Sequence, residues 1–129
     1  MIESKEFTLP MLPPSKNQLH SIIRLPGMPL QFKRSKSYQK WLGEVMPYIP
    51  MLTPLKDSHY FKIDAEFEYP FFHANGKHRR LDGHNFLEAI CDAIATKNGW
   101  DDSYIKSGSW EACDSETERV MLVVSQIAI

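Results

Sequence analysis

Three acidic residues bracket one apolar segment in the second half of this sequence. Asp82 stands directly before a run in which Phe86, Leu87, Ile90, Cys91 and Ile94 recur at helical spacing, and Asp101 and Asp102 follow its end. Two carboxylates brought together are the minimum protein contribution to a site for a hard divalent cation, the rest of whose shell is water. The helix that the spacing predicts, from about Gly83 to Lys97, is roughly 22 Å long at 1.5 Å per residue, so alone it holds Asp82 and Asp102 apart. They meet only if the chain folds back after Asn98-Gly99, a pair that favours ending a helix and turning. Taken singly, the same residues have plainer uses: Asp82 as a helix cap, Asp101-Asp102 as a polar turn.

The elements that must position this segment are legible from period and punctuation. Residues 60–69 alternate Phe61, Ile63, Ala65, Phe67 and Tyr69 with Lys62, Asp64, Glu66 and Glu68, which predicts a strand with one face in the core and one wet. A short first strand is expected at Phe7-Thr8-Leu9, within residues 5–12, ended by Pro13-Pro14, with a turn at Ser15-Lys16-Asn17. Residues 18–34 hold Pro26, Gly27 and Pro29 and no clean period, and read as a long basic loop. Ser35 or Ser37 can cap a helix whose apolar positions are Tyr38, Trp41, Leu42 and Val45, stopped by Pro47. His73 to Lys77, with Asn75-Gly76, reads as a flexible approach to the central segment. Beyond that segment a strand from about Tyr104 to Trp110 and a last strand from Val120 to Ile129 suggest a hairpin across an acidic turn. The order β-α-β-α-β-β predicts an α+β fold, a mixed sheet with two main helices packed on it, in a single domain over residues 1–129.

At 129 residues, 43% hydrophobic and 24% charged, the chain suits one core and no second domain. No apolar run reaches the ~18 residues of a membrane span, and Met-Ile-Glu-Ser-Lys-Glu at the start lacks the apolar block of a signal peptide. A soluble, cytoplasmic protein with no membrane partner is the expectation, and Cys91 and Cys113, without Cys-x-x-Cys spacing, fit free thiols in a reducing compartment. The net charge of −1 is unevenly spread. No acidic residue occurs between Phe7 and Gly43, a stretch that carries Lys16, Arg24, Lys33, Arg34, Lys36 and Lys40, and a second basic knot, Lys77-His78-Arg79-Arg80, leads into Asp82. That distribution suits a polyanion-binding surface and equally an ordinary solvated one.

Three motifs in register resemble one family. Pro13-Pro14-Ser15-Lys16-Asn17, then Arg80-Leu81-Asp82-Gly83-His84-Asn85-Phe86-Leu87-Glu88-Ala89-Ile90-Cys91-Asp92-Ala93, then Asp101-Asp102 follow the pattern of the RusA family of Holliday junction resolvases over nearly the whole chain. The resemblance implies a metal-dependent endodeoxyribonuclease acting on four-way DNA junctions, with Asp82 and Asp102 as metal ligands and Asn85 and Asp92 in support. It also implies a homodimer, since two symmetric cuts need two sites. Two positions depart from the pattern: His84 replaces the second motif aspartate, and Glu88 replaces a lysine that the family needs for cleavage. Phosphodiester hydrolysis calls for a cation, Mg²⁺ or Mn²⁺, to neutralise developing charge and activate water. His84 as a third ligand shifts preference from Mg²⁺ toward softer ions, and Glu88, one helical turn on, can share that ion or act in catalysis. The same two residues also make an ordinary exposed i, i+4 pair. Lys16, Lys33, Arg34, Lys36, Arg79 and Arg80 are the candidate phosphate contacts.

Two further readings compete. The chain can be a branched-DNA-binding protein with a degenerate site, or a small structural protein whose acidic cluster only caps a helix. His73, His78 and His84 fit no standard zinc spacing. Tyr38, Trp41 and Trp100 can stack on bases, though such positions more often belong to a core.

Overall fold

Strand β4, His59–Tyr69, runs through the interior of the sheet because its sequence buries every second side chain. Phe61, Ile63, Ala65, Phe67 and Tyr69 are all buried, whereas Lys62, Asp64, Glu66 and Glu68 between them keep part of their surface in solvent. The computed structural model describes residues 3–14, 20–23, 27, 31–79, 81 and 83–129, with the backbone alone for 20–23, 31–34 and 84. β5, Ile105–Asp114, lies parallel to β4 on one side, and β6, Arg119–Ala128, lies antiparallel to it on the other. β1, Glu3–Leu9, completes the sheet beyond β6, in the order β1-β6-β4-β5.

Helices α1, Lys36–Val45, and α2, Gly83–Asn98, share one core with the buried face of this sheet. The register explains how. Ile63 stands between Val124 of β6 and Gly108 of β5, and Phe67 between Val120 and Ala112, so one continuous apolar surface meets Phe86, Ile90 and Ile94 of α2. Phe67 and Phe86 pack edge to face with centroids 5.4 Å apart. α1 adds Tyr38, Trp41, Leu42 and Val45, all buried as their spacing predicts, and Ser35 caps it by accepting a hydrogen bond from the Tyr38 N–H at 3.1 Å. A short 3₁₀ turn, Met46–Tyr48, containing Pro47, ends that helix. The α+β architecture expected from the sequence is therefore the one observed. Among the described residues, no helix is long and apolar enough to cross a membrane. The sheet's other face carries Glu6, Thr8, Asp64, Glu66, Met121 and Val123 around a broad shallow depression.

Three local expectations are corrected. The hairpin expected between the strand of Trp110 and the last strand does not form, because β4 lies between β5 and β6. Parallel neighbours need a crossover, and α2 supplies it: the helix carries the chain back along β4, so β5 enters beside it in the same direction. Residues 115–118 then pass the end of β4, where the Ser115 N–H donates to Tyr69 O (3.0 Å) and the Phe71 N–H donates to Asp114 Oδ1 (2.9 Å).

The long loop expected over residues 18–34 contains a two-stranded antiparallel ribbon. β2, His20–Ile23, pairs with β3, Gln31–Arg34, bringing His20 opposite Arg34. Ile22, Ile23 and Phe32 have the β-branched and aromatic character that strands favour. Finally, residues 71–79 form a closed β-ribbon in place of the flexible approach. The Arg79 N–H donates to Phe71 O (2.8 Å), the His73 N–H to Lys77 O (2.8 Å) and the Gly76 N–H to His73 O (2.9 Å). Gly76 takes the positive φ of 81° that this turn requires.

Candidate functional site

The C-terminus of α2 determines where Asp102 goes. Gly99 adopts φ +71°, the Trp100 N–H donates to Ala95 O (3.2 Å) and the Gly99 N–H to Thr96 O (3.4 Å), a Schellman arrangement that closes the helix and reverses the chain. Asn98 secures the same end: its Oδ1 accepts from the Leu52 N–H at 2.7 Å, and its Nδ2 donates to Ile94 O at 3.0 Å. Trp100 then stacks on Phe61 with centroids 4.6 Å apart and on Tyr104 at 6.0 Å, pinning the returning segment to the sheet. Asp101 and Asp102 divide their roles at this point. Asp101 caps the short 3₁₀ helix Asp102–Tyr104, accepting from the Ser103 N–H at 2.8 Å, and that bond holds its carboxyl below the ordinary range.

Asp102 comes back against α2. It lines one open depression with Leu87, Glu88, Cys91 and Ile105. Glu88 and Cys91 are five and eight residues into a helix that starts at Gly83, about 7.5 and 12 Å along its axis, so Asp102 returns alongside the middle of a helix whose far end lies roughly 22 Å from its start. The Cys91 thiol senses the convergence: burial first, then the charges of Asp102, Glu88 and Asp92, push it up to about 12. Asp92 is held from α1, whose Tyr38 hydroxyl donates to its Oδ2. No lysine or arginine forms an ion pair with Glu88 or Asp102 among the described residues. Among the described residues the depression thus holds two carboxylates with no ion-paired cation, donors of the type that a hard divalent ion takes. Among the described residues, no three potential ligand side chains are close enough to make a complete site by themselves.

The other expected residues are distributed unevenly. Lys16, Arg80 and Asp82 lie outside the described residues. His84 belongs to the first turn of α2, and Lys33 and Arg34 to β3, with their side chains outside the described part. Asn85 is buried on α2, whereas Lys36 is exposed at the start of α1. Arg79 is engaged within the fold, donating from Nη2 to Glu118 Oε1 at 3.0 Å and from Nη1 to Pro70 O at 3.4 Å. Tyr38 and Trp41 are core residues, and Trp100 is the stacked anchor just described, so none of the three offers a free face to a base.

Two features escaped the sequence reading. Cys91, three residues from Glu88, shares its helix face, a relation visible from the i, i+3 spacing alone. The second is Trp110, whose ring covers Gly83 at the start of α2: a Cβ at Gly83 would fall 2.6 Å from Cε3 of that ring. Only tertiary structure joins β5 to the first residue of α2, and no local pattern signals it. No protein-family model matches this chain, and no curated protein matches it in sequence.

Proposed function

We propose that the chain is a metal-dependent endodeoxyribonuclease of the RusA type, hydrolysing phosphodiester bonds at four-way DNA junctions. The observation that supports the reading is the return of Asp102 to the depression that Leu87, Glu88 and Cys91 of α2 also line, since the family pattern calls for Asp102 to come back along that helix. Asp82, Asp102 and His84 would hold the cation, Mg²⁺ or Mn²⁺, with Glu88 as a further acid at the edge of the site. Bound there, the ion would neutralise phosphate charge and lower the pKa of a water molecule. Asp92, fixed by Tyr38, and the buried Asn85 would keep the α2 face in position. The basic residues Lys16, Lys33, Arg34, Lys36 and Arg80 would contact phosphates, and a homodimer would present two sites to a two-fold junction.

The exposed acid Glu88, standing where the family pattern has a lysine, favours a second reading: a junction-binding protein that does not cut. One assay separates the two. Purified protein is incubated with labelled four-way junction and with linear duplex, with Mg²⁺ or Mn²⁺ varied. The nuclease reading expects metal-dependent junction cleavage, stronger with Mn²⁺ and lost in Asp82→Asn and Asp102→Asn. Tight, salt-sensitive junction binding without cleavage supports the second reading, and cleavage that survives both substitutions overturns the assignment of the site.

A further inference from the structure

A second concave feature lies at the other end of β5. Tyr69, Phe71, His78, Arg79, Leu81 and Trp110 line a cleft of about 520 Å³, within the range of roughly 300–1,000 Å³ common for small-ligand sites. Tyr69 and Phe71 tilt against each other with centroids 5.1 Å apart, and Trp110 is 44% exposed despite its size. Gly83 sets the position of that indole, since three ring carbons lie within 3.0 Å of where any Cβ would stand. The indole therefore rests directly on the helix backbone, and its exposed part borders both this cleft and the shallow depression on the sheet's other face, in a position fixed before any ligand arrives.

The rim is mixed in charge: Glu111 lines it together with Arg79, whose guanidinium is paired with Glu118, and the exposed Lys77 adjoins the lining His78 in sequence. Lys77 and His78 are exposed on the 71–79 ribbon, and Lys77 has no ion-pair partner among the described residues. His78 packs against Phe72 at a tilt of 51°, centroids 4.6 Å apart, so the ribbon offers aromatic and basic groups side by side. An aromatic plane with an exposed lysine on the adjoining ribbon suits a ligand with a flat π-face and a phosphate attached. A paired base inside a duplex has both faces covered and cannot enter. We infer that this cleft binds an unpaired nucleobase of a DNA strand, stacked on Trp110, with the adjoining phosphate at Lys77. The strand would reach the carboxylate depression along β5, since Ile105 and Trp110 are five residues, roughly 17 Å, apart on it. The inference rests on the reading of the chain as a branched-DNA protein, whose junctions offer unstacked bases where strands exchange.

The test uses the full chain in EDTA, so that no cutting occurs. Fluorescence anisotropy compares a labelled single strand, an abasic strand of the same length and charge, and a four-way junction, for wild type, Trp110→Ala and Trp110→Tyr. Wild type should prefer the base-bearing strand, and Trp110→Ala should weaken that binding roughly 5- to 150-fold, the usual range for one lost base stack, while leaving the abasic strand unchanged. Trp110→Tyr should keep most of the affinity but lose the quenching of tryptophan emission seen on binding, a readout that holds even if the alanine variant folds poorly. Unchanged binding in Trp110→Ala, with wild type binding DNA well, overturns the cleft and leaves the proposed function standing. Trp110-dependent strand binding without junction preference or metal-dependent cleavage does the reverse, and wild type that binds no DNA overturns both.

Discussion

The Cys91 thiol makes the geometry of the carboxylate depression measurable without any assumption about substrate. An ordinary cysteine ionises near 9.0, and Cys91 is pushed up to about 12, first by burial and then by Asp102, Glu88 and Asp92. At pH 8 the thiolate fraction falls from about a tenth to about one in ten thousand, so alkylation, which needs the thiolate, should be roughly 1,000-fold slower than for a free thiol. Asp102→Asn removes the largest of the charge contributions. Because Asp102 is exposed, water-like screening applies, and a nearby unit charge is then worth about 1 kcal/mol, or roughly a fivefold faster reaction. Glu88→Gln should act in the same direction. The double variant should still react more slowly than a free thiol, since burial is the leading cause and persists. The assay is iodoacetamide modification across pH 7–11 in EDTA, read by mass spectrometry, in a Cys113→Ser background because the Cys113 Sγ donates to Glu66 Oε1 at 3.1 Å and is itself raised. A wild-type midpoint near 9 would refute the burial of the Cys91 thiol, and profiles identical in Asp102→Asn and wild type would refute the placement of Asp102 against α2.

The same thiol should mark the pH dependence of stability. An unfolded Cys91 ionises as pH passes about 9 while the folded one stays protonated, so its contribution is complete below pH 9 and is lost between 9 and about 12, up to ~4 kcal/mol; urea melts of Cys91→Ala should decline less over that window than wild type. Ser35→Ala should cost about 1 kcal/mol in the urea midpoint by leaving the Tyr38 N–H without its acceptor, and Ser35→Asp should recover most of it. Gly108→Ala should destabilise by roughly 1–3 kcal/mol, because its Cβ would stand 2.8 Å from the Ile63 backbone oxygen and a strand backbone cannot yield as a side chain can. Glu118→Gln should change stability by less than about 1 kcal/mol, because Glu118 is exposed and water screens its pair with the half-buried Arg79; a larger loss would mean that this contact anchors the 71–79 ribbon.

Sequence alone determined the parts of this protein governed by near neighbours. Alternation over Phe61 to Tyr69 marked β4 and its buried face, Ser35 and the Tyr38, Trp41, Leu42, Val45 spacing marked α1, and Asn98-Gly99 marked the end of α2. Each follows from a period or a backbone preference acting within a few residues. For the candidate site, the need for a fold-back after α2 was legible, because the length of a helix is arithmetic. How far the chain would return was not. That depended on Trp100 finding Phe61, 39 positions earlier, and on Asp101, not Asp102, turning to cap the 3₁₀ turn. Likewise β5 reads as a hairpin partner of β6 until α2, packed on the sheet, delivers it to the free edge of β4. Strand pattern reports which face is buried but carries no information about which edge a strand will join, so pairing, the partner of Arg79 and the seat of Trp110 on Gly83 were decided only by the packing of the whole chain.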